Sequence, residues 1–270
     1  MTVRFRSLRS GSSGNCLMLW TDRTRILVDC GIGSQYRLRD LLEEHLGHDP
    51  RIDAVVVTHA HRDHVCYPSL RVLRDYGVAV HCHEACLPQI RERHRPEACE
   101  GLVWKTFSTS PFCVNELVIE PFAVSHHPAY PTCAFKIRED PGARGLVIAT
   151  DFNDYTGLLD RFVDADFIFV EANHDLELLR RFPNPMSAFH MENEKTAWLL
   201  SHALSQSASP PRAVMLGHLS AERNSQDLAL ERVSELLRRR NGPFPFELLA
   251  ASRDRASKTI TIPATSGGSG

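Results

Sequence analysis

The sequence predicts an α/β fold in which two mixed β-sheets pack back to back and helices cover both outer faces. Short apolar segments occur in two blocks, one in the first third of the chain and one in residues 101–150, and helix-like segments follow each block. A length of 270 residues is within reach of one large α/β domain, and no repeat or internal linker divides it. We therefore expect one domain at residues 1–264 and a linker-like, flexible tail at residues 265–270.

Hydrophobic periodicity predicts the individual elements in chain order. Strands are expected where apolar and β-branched residues run together, and helices where apolar residues recur on one stripe, as Leu230, Val233 and Leu237 do. The first half reads as strands at 4–8, 16–19 and 25–28, a helix at 38–46, a strand at 55–57, a helix at 68–75, a strand at 78–82, a helix at 85–93, and strands in LVIEPFAVSHH, CAFKI and GLVIATD. The second half reads as a helix at 158–162, a strand at 167–170, helices at 176–181 and 192–204, a strand in RAVMLGH, a helix at 227–239, and strands at 246–249 and 259–262.

The composition limits the location and the partners that we expect. The longest apolar runs are strand-sized and the N-terminal segment has no apolar leader, which predicts no membrane contact and a cytoplasmic location. A formal net charge of −2 does not indicate a broad basic surface for nucleic acid. Eight cysteines without a CxxC pair predict buried, reduced thiols. Arginines do cluster locally, at Arg91, Arg93 and Arg95 and at Arg238, Arg239 and Arg240, and the second cluster is typical of a helix C-terminus.

The segment VVVTHAHRDHV at residues 55–65 carries the clearest functional signal. Its valines predict a buried strand, so the polar residues that follow stand at the strand's carboxyl end, where open α/β sheets usually bind ligands. Alternation along an extended chain turns His59, His61 and Asp63 to one side. His64 breaks this alternation and fits a chain that is entering a helix. Because burying so many such groups without a cation is costly, the segment predicts a zinc-like metal site.

Three later strands also end on residues that can bind a metal. EPFAVSHH ends on His126 and His127, GLVIATD ends on Asp151, and RAVMLGH ends on His218. Either His126 or His127 can be the ligand, and Asp151 can instead cap the turn that follows it. Because four strands end in this way, we expect one constellation of ligands.

THAHRDH, followed by isolated His, Asp and His residues at strand ends, resembles the metallo-β-lactamase-fold hydrolases over residues 5–262. The resemblance implies an αββα sandwich with two divalent ions, zinc or manganese and with iron also possible. Carried over by position, one ion is held by His59, His61 and His126, and the second by Asp63, His64 and His218. Asp151 bridges the two, and Asp29 in the segment ILVDCG supports the site from below.

A narrower resemblance is to the YycJ-like branch of this fold, which is associated with exonuclease activity on DNA. It rests on RSGSSGNC at residues 9–16, VEANHD at 170–175 and LGHLSAERNS at 216–225. The branch pattern favours His126 over His127 as the ligand. AFHMENE at 188–194 departs from the branch's usual segment, so that only His190 and Asn193 correspond.

Two groups of residues are candidates for contacts with the substrate. Ser12, Ser13 and Asn15 lie in a loop whose amides and hydroxyls can approach a phosphate, although a tight hairpin turn explains them equally well. His174 and His190 are the second group, and both can instead be ordinary surface residues.

The function that these features favour is hydrolysis of a phosphodiester, with DNA or RNA ends as the expected partner. Two divalent ions about 3.5–4 Å apart lower the pKa of a bridging water and polarise the phosphoryl oxygen. Asp63 is then expected to orient the bridging hydroxide, and His190 to aid the leaving oxygen. A small-molecule cyclic phosphodiesterase and a hydrolase of lactones, thioesters or β-lactams remain alternatives. A redox scaffold is disfavoured, because flavodiiron-like relatives have a Glu within the motif, which here has His61, and carry a flavin domain.

Overall fold

Two seven-stranded β-sheets form the centre of the molecule. The computed structural model describes residues 2–48, 50–94, 96–139 and 144–263. The first sheet has the strand order β14-β1-β2-β3-β4-β5-β6, and the second has the order β13-β12-β11-β10-β9-β8-β7. The strands are β1 Val3–Arg9, β2 Cys16–Trp20, β3 Arg25–Val28, β4 Ala54–Val57, β5 Ala79–His83, β6 Val103–Phe107, β7 Phe112–Val114, β8 Leu117–Val124, β9 Thr132–Arg138, β10 Leu146–Ala149, β11 Phe167–Glu171, β12 Ala213–Gly217, β13 Glu247–Ala250 and β14 Ile260–Ile262.

Helices cover the outer face of each sheet. Apolar residues of α1, α2 and α3 pack on the first sheet, and those of α5, α7 and α8 pack on the second. The helices are α1 Gln35–Leu46, α2 Tyr67–Asp75, α3 Cys86–Arg93, α4 Pro96–Cys99, α5 Leu159–Phe162, α6 Leu176–Arg181, α7 Asn193–Gln206 and α8 Gln226–Asn241, with a 3₁₀ helix at Pro185–Phe189. The predicted αββα sandwich is therefore confirmed. No helix of the described residues is long and apolar enough to span a membrane.

Aromatic and aliphatic side chains fill the space between the sheets. The ring of Phe5 on β1 lies 4.6 Å from that of Phe167 and 5.5 Å from that of Phe169, both on β11. All three rings are fully buried, and each contributes about 1.5–3 kcal/mol through removal of apolar surface from water. This packing fixes the position of one sheet relative to the other.

Both sheets are mixed, and their parallel strands determine where the polar residues meet. β3, β4, β5 and β6 are parallel to one another, as are β10, β11, β12 and β13. The carboxyl ends of the strands in each group therefore lie along a single edge of the sheet. The residues that follow β4, β10 and β12 stand at these edges, as the sequence predicts.

The predicted elements are confirmed to within a few residues, but four observed elements have no predicted counterpart: β6, β7, α4 and the 3₁₀ helix. Helix α1 begins three residues earlier than predicted, because the Ser34 hydroxyl caps it by accepting from Arg37 N at 3.4 Å. Helix α4 and the 3₁₀ helix were not predicted, since segments this short contain too few residues to show a period. The tail predicted to be flexible, residues 265–270, lies outside the described residues.

Candidate metal centre

Three strands are followed by a residue of the site whose backbone is in the left-handed conformation. Asp29 follows β3 with a φ of 60°, Asp151 follows β10 with 58°, and His218 follows β12 with 51°. This conformation costs about 1–3 kcal/mol for a residue other than glycine and persists where surrounding contacts impose it. All three side chains reach one cluster: Asp29 and Asp151 lie 2.7 and 3.0 Å from nitrogens of His64, and His218 Nε2 lies 3.6 Å from Asp151 Oδ1.

His59, His61 and His126 form the first group of potential ligands. His59 Nε2 lies 2.8 Å from His61 Nδ1, which lies 3.3 Å from His126 Nε2. Burial lowers the pKa of all three imidazoles, with His61 brought to about 4 by burial and by the nearby His126. The rings are therefore neutral, and their ring nitrogens converge on one point.

Asp63, His64 and His218 form the second group. Asp63 Oδ2 lies 3.3 Å from His218 Nε2 and 3.5 Å from His64 Nε2. Burial alone would raise the pKa of Asp63, but the charges and hydrogen bonds of His64 and His218 lower it well below its ordinary value. Asp151 lies between the groups, with its oxygens 3.0 Å from His64 Nε2 and 3.9 Å from His126 Nε2.

Oxygen acceptors fix the orientation of three of these potential ligand rings. His64 Nδ1 donates to Asp29 at 2.7 Å, His218 Nδ1 to Glu171 at 2.8 Å, and His126 Nδ1 to the Phe189 carbonyl at 3.0 Å. A proton on Nδ1 leaves the Nε2 lone pair of each ring free for a metal. Such acceptors behind ligating histidines orient the rings and raise their basicity.

Glu171 is a central residue of the site that sequence analysis did not single out. It is fully buried at the end of β11, and Oε1 accepts from His218 Nδ1 and, at 2.7 Å, from His190 Nδ1. Its other oxygen accepts from the backbone of Phe152 and Met191. Burial would raise its pKa, but His190 and the hydrogen bonds lower it to about 2. The available signal was an acid that ends an apolar strand, FIFVE, in the same way as Asp151 ends its own.

The site residues fit divalent ions. In each of the two groups the potential ligand atoms all lie within 4.8 Å of one another, as expected for atoms about 2 Å from a common ion. Asp151 Oδ2 is buried and has no hydrogen-bond partner within the part of the chain that the structure describes. In the first group, His126 Nε2 is left without a proton because Nδ1 donates to the Phe189 carbonyl, and it faces His61 Nδ1 at 3.3 Å. A cation would satisfy both the nitrogens and the carboxylate.

Comparison with known proteins agrees with this geometry. The family model for the β-lactamase superfamily domain matches residues 24–218, which is more than half of the chain. The chain belongs to the β-lactamase superfamily. The superfamily match spans β3 to the end of β12, and it therefore includes every potential ligand of both groups.

Several individual proteins of this superfamily are similar to the chain over most of its length. The chain is 28% identical to exodeoxyribonuclease WalJ of Streptococcus pneumoniae over 240 residues, covering 84% of this chain and 85% of the relative. It is 28% identical to exodeoxyribonuclease YycJ of Bacillus anthracis over 256 residues, covering 88% and 90%. Among solved structures, the metallo-β-lactamase fold protein YhfI of Bacillus subtilis matches with a TM-score of 0.72 at 16% identity, covering 97% of this chain and 100% of that one.

The choice between the adjacent histidines His126 and His127 has a structural basis. His126 is buried in the first group, whereas His127 is partly exposed, accepts from Ala129 N at 3.2 Å and packs beside the Phe189 ring. His127→Ala should therefore keep the bound metal and keep turnover within about twofold, while His126→Ala should lose metal. Elemental analysis of both purified variants tests this, and metal loss in the His127 variant alone would reverse the assignment.

The residues predicted to contact substrate lie in different environments. Ser12 and Ser13 are exposed in the turn between β1 and β2. Asn15 is buried, and its Nδ2 donates to the Asp63 carbonyl at 3.2 Å, so its amide is occupied in holding the ligand loop. His190 lies beside the metal-ligand cluster, and His174 is buried at the wall of a neighbouring cavity.

The first arginine cluster and the cysteines are also accounted for. Arg93 donates to the carbonyl of Ala60, inside the ligand motif, and to the Tyr130 hydroxyl at 2.6 Å, so it supports the site itself. Arg91 is exposed, and Arg95 lies outside the described residues. All eight cysteines are free and six of them are buried, as predicted. Burial raises the pKa of Cys82 and of Cys86 to about 12, so that both are unreactive thiols.

Proposed function

We propose that this protein is a metal-dependent phosphodiesterase that acts as an exonuclease on DNA. The observation that carries the proposal is the pair of ligand groups that meet at Asp151 in a chain whose relatives are named exodeoxyribonucleases. Paired divalent ions are typical of enzymes that hydrolyse phosphate esters by in-line displacement.

The proposed cofactor is two divalent ions, zinc or manganese. His59, His61 and His126 would hold one ion, Asp63, His64 and His218 would hold the other, and Asp151 would contribute to both. When bound, the ions supply an activated water and polarise the phosphoryl oxygen. Imidazole and carboxylate ligands suit both metals, whereas a site for magnesium would contain mainly oxygen ligands.

The protein's own groups would position the reacting atoms and move the proton. Asp63 is the most exposed of the carboxylates in the cluster, with 22% of its side chain accessible, so it can accept a hydrogen bond from the attacking water. Burial would lower the pKa of His190, but the Glu171 carboxylate that accepts from Nδ1 raises it, so that the protonated ring can also donate from Nε2 to the leaving oxygen. Glu171 holds His190 and His218 through one oxygen, and it therefore couples the proton donor to a ligand.

Two cavities next to the site offer contacts for the phosphates of a strand. One, of about 550 Å³, is lined by three arginines and three acids: Arg9, Arg37, Arg253, Asp40, Glu44 and Asp254. The second, of about 400 Å³, has an excess of basic residues, with Arg253 and Arg255 against Asp254, and also includes Ser13 and Ser220. Arg253 borders both, and its Nη1 is buried without a hydrogen-bond partner among the described residues. Gly14 lines the first cavity and precedes Asn15, which contacts Asp63, and Ser220 lines the second cavity two residues after His218.

Arg253→Ala should weaken cleavage of labelled DNA by about tenfold to a hundredfold while sparing bis-p-nitrophenyl phosphate, which has no second phosphate. The lost contact is a charge-assisted hydrogen bond, which contributes about 1.5–3 kcal/mol. Steady-state kinetics on both substrates measures the difference, and DNA cleavage should also become less sensitive to salt. Arg239→Ala removes an exposed arginine from the last turn of α8 and is the matched control. Equal losses on the two substrates would contradict the assignment of Arg253.

The proposed function is tested by metal analysis together with a substrate panel. We expect about two divalent ions per chain, loss of turnover after chelation, and recovery with zinc or manganese. The panel contains labelled DNA, bis-p-nitrophenyl phosphate, a lactone and a thioester, and the two phosphodiesters should be cleaved far faster. Turnover of bis-p-nitrophenyl phosphate without DNA cleavage would instead indicate a small-molecule phosphodiesterase. Faster turnover of the lactone or the thioester would overturn the proposal.

A further inference from the structure

We infer that a cavity beside His190 binds the base of the terminal nucleotide of a single-stranded substrate, an inference that rests on the proposed function. This base pocket has a volume of about 460 Å³, and its lining includes His174, Leu179, Pro183, Pro185, Ala188 and His190. Pockets for small organic groups commonly span about 300–1,000 Å³, so a nucleoside can enter it.

The base pocket shares a wall with the metal centre. His190 lines the pocket, and its Nδ1 donates to the Glu171 oxygen that also accepts from the metal ligand His218. The segment that precedes His190 is also bonded to the site, because Phe189 O accepts from His126 Nδ1 at 3.0 Å and Ala188 O accepts from Asn153 Nδ2 at 2.8 Å. A group bound in the pocket therefore lies one side chain away from the ligands.

The chemistry of the walls favours a flat, neutral ring over a phosphate. One side is apolar and rigid, with Pro183 and Pro185 on it. The pocket also has one carboxylate, Glu192, which disfavours an anion, and its lysine, Lys195, already donates to Asn153 O at 2.7 Å. His174 is only 3% exposed, and its Nδ1 has no hydrogen-bond partner within the described ranges of the chain. A base has a flat face that can pack on the prolines and an edge that can hydrogen-bond with His174 Nδ1.

Two exposed apolar side chains are adjacent in sequence to residues that line the base pocket. Phe182 is 53% exposed and Met186 is 44% exposed, and both lie on the segment that forms the apolar wall. Aromatic and thioether side chains are good stacking surfaces for bases. They provide a platform for the base that enters the pocket or for its neighbour.

The test compares binding of two single-stranded oligonucleotides that differ only at the end: one carries a normal terminal nucleotide, the other an abasic tetrahydrofuran residue. Affinity is measured by fluorescence anisotropy with manganese present, in the Asp63→Asn background so that turnover does not interfere. Both ends of the strand are tested separately. Because stacking contributes roughly five- to a hundredfold in affinity per base, the abasic end should bind at least fivefold more weakly at one of the two ends.

Variants then assign the difference to the pocket. Phe182→Ala and Met186→Ala should reduce the preference for the normal end, and Ala188→Trp, which fills the cavity from an exposed position, should abolish it. Val103→Ala removes a similarly exposed apolar side chain from the edge strand β6 and should leave the preference unchanged. Equal affinity for normal and abasic ends in the parent protein would overturn the inference, as would an unchanged preference in Ala188→Trp.

A failure of the base pocket can be distinguished from a failure of the proposed function, because binding of the base and phosphodiester turnover are measured separately. Phosphodiester turnover is measured independently with bis-p-nitrophenyl phosphate, which has no base to fill the pocket. If that turnover is present while the two oligonucleotides bind equally, the base pocket is wrong and the phosphodiesterase stands. If base-selective binding is present without any phosphodiester turnover, the pocket stands and the proposed chemistry is wrong.

Discussion

Asp63→Ala should reduce turnover of bis-p-nitrophenyl phosphate by about 10²–10⁴-fold, because it removes both a proposed metal ligand and the group that orients the attacking water. The fold should survive the change. The contacts that hold this loop use the backbone of residue 63, whose carbonyl accepts from Asn15 N at 2.7 Å, and alanine retains that carbonyl. Steady-state kinetics with saturating manganese measures the loss, and circular dichroism checks the fold.

Two companion variants make the result on Asp63 interpretable. Asp63→Asn keeps the shape of the side chain and removes its charge, so it should be impaired nearly as strongly as the alanine variant. Asp227→Ala removes an exposed carboxylate from the first turn of α8 and should retain full turnover. Turnover near that of the parent protein in Asp63→Ala would mean that another group orients the water.

Gly31→Ala should disrupt the metal centre without altering any ligand. A Cβ atom at position 31 would lie 1.9 Å from Asp63 O and 2.6 Å from His64 N, and these are backbone atoms of the ligand loop that no side-chain rotation can move. Cys30 N donates to His64 O at 2.8 Å, so the two segments cannot separate without breaking their pairing. We expect a loss of about 1–3 kcal/mol in the free energy of unfolding and a fall in bound metal.

Gly33→Ala is the matched control for this prediction. Gly33 lies two residues further along, and a Cβ there would meet nothing within 4 Å. Denaturant unfolding and elemental analysis of the two variants should therefore separate them clearly. If Gly31→Ala keeps its metal and its stability, the ligand loop is more adaptable than its close backbone contact implies.

The sequence pattern predicted the αββα architecture, and the resemblance to the metallo-β-lactamase-fold hydrolases assigned the residues that the structure brings together as two groups of potential ligands. The architecture and the position of the site rest on local pattern: strands are short and apolar here, and His59, Asp151 and His218 each come within two residues of a strand end. Local pattern also explains why the predicted boundaries hold to within a few residues, since Gly, Pro and polar residues interrupt the apolar runs.

The remaining features depend on contacts between distant parts of the chain. Glu171 stands beside Asn173, His174 and Asp175, and the sequence does not indicate which of these four reaches the ligands. Asn15 reads as a turn residue, but the close pairing of its segment with residues 63–64 places its amide against Asp63. The base pocket depends on a 3₁₀ helix too short to show a period.

The two sheets supply potential ligands to a common centre, so bound metal should affect how fast the protein is degraded in a cell. Under the proposed assignment, residues 59–64 of one sheet and residues 126, 151 and 218 of the other are cross-linked through the bound ions. Ions that bind the folded chain alone stabilise it by about 2.7 kcal/mol when their free concentration is a hundred times the Kd. A chain made during metal shortage lacks this cross-link, opens more often along that edge, and is degraded sooner by proteases. The cellular level of the protein should therefore rise and fall with the supply of its metal, without any change in the transcription of its gene.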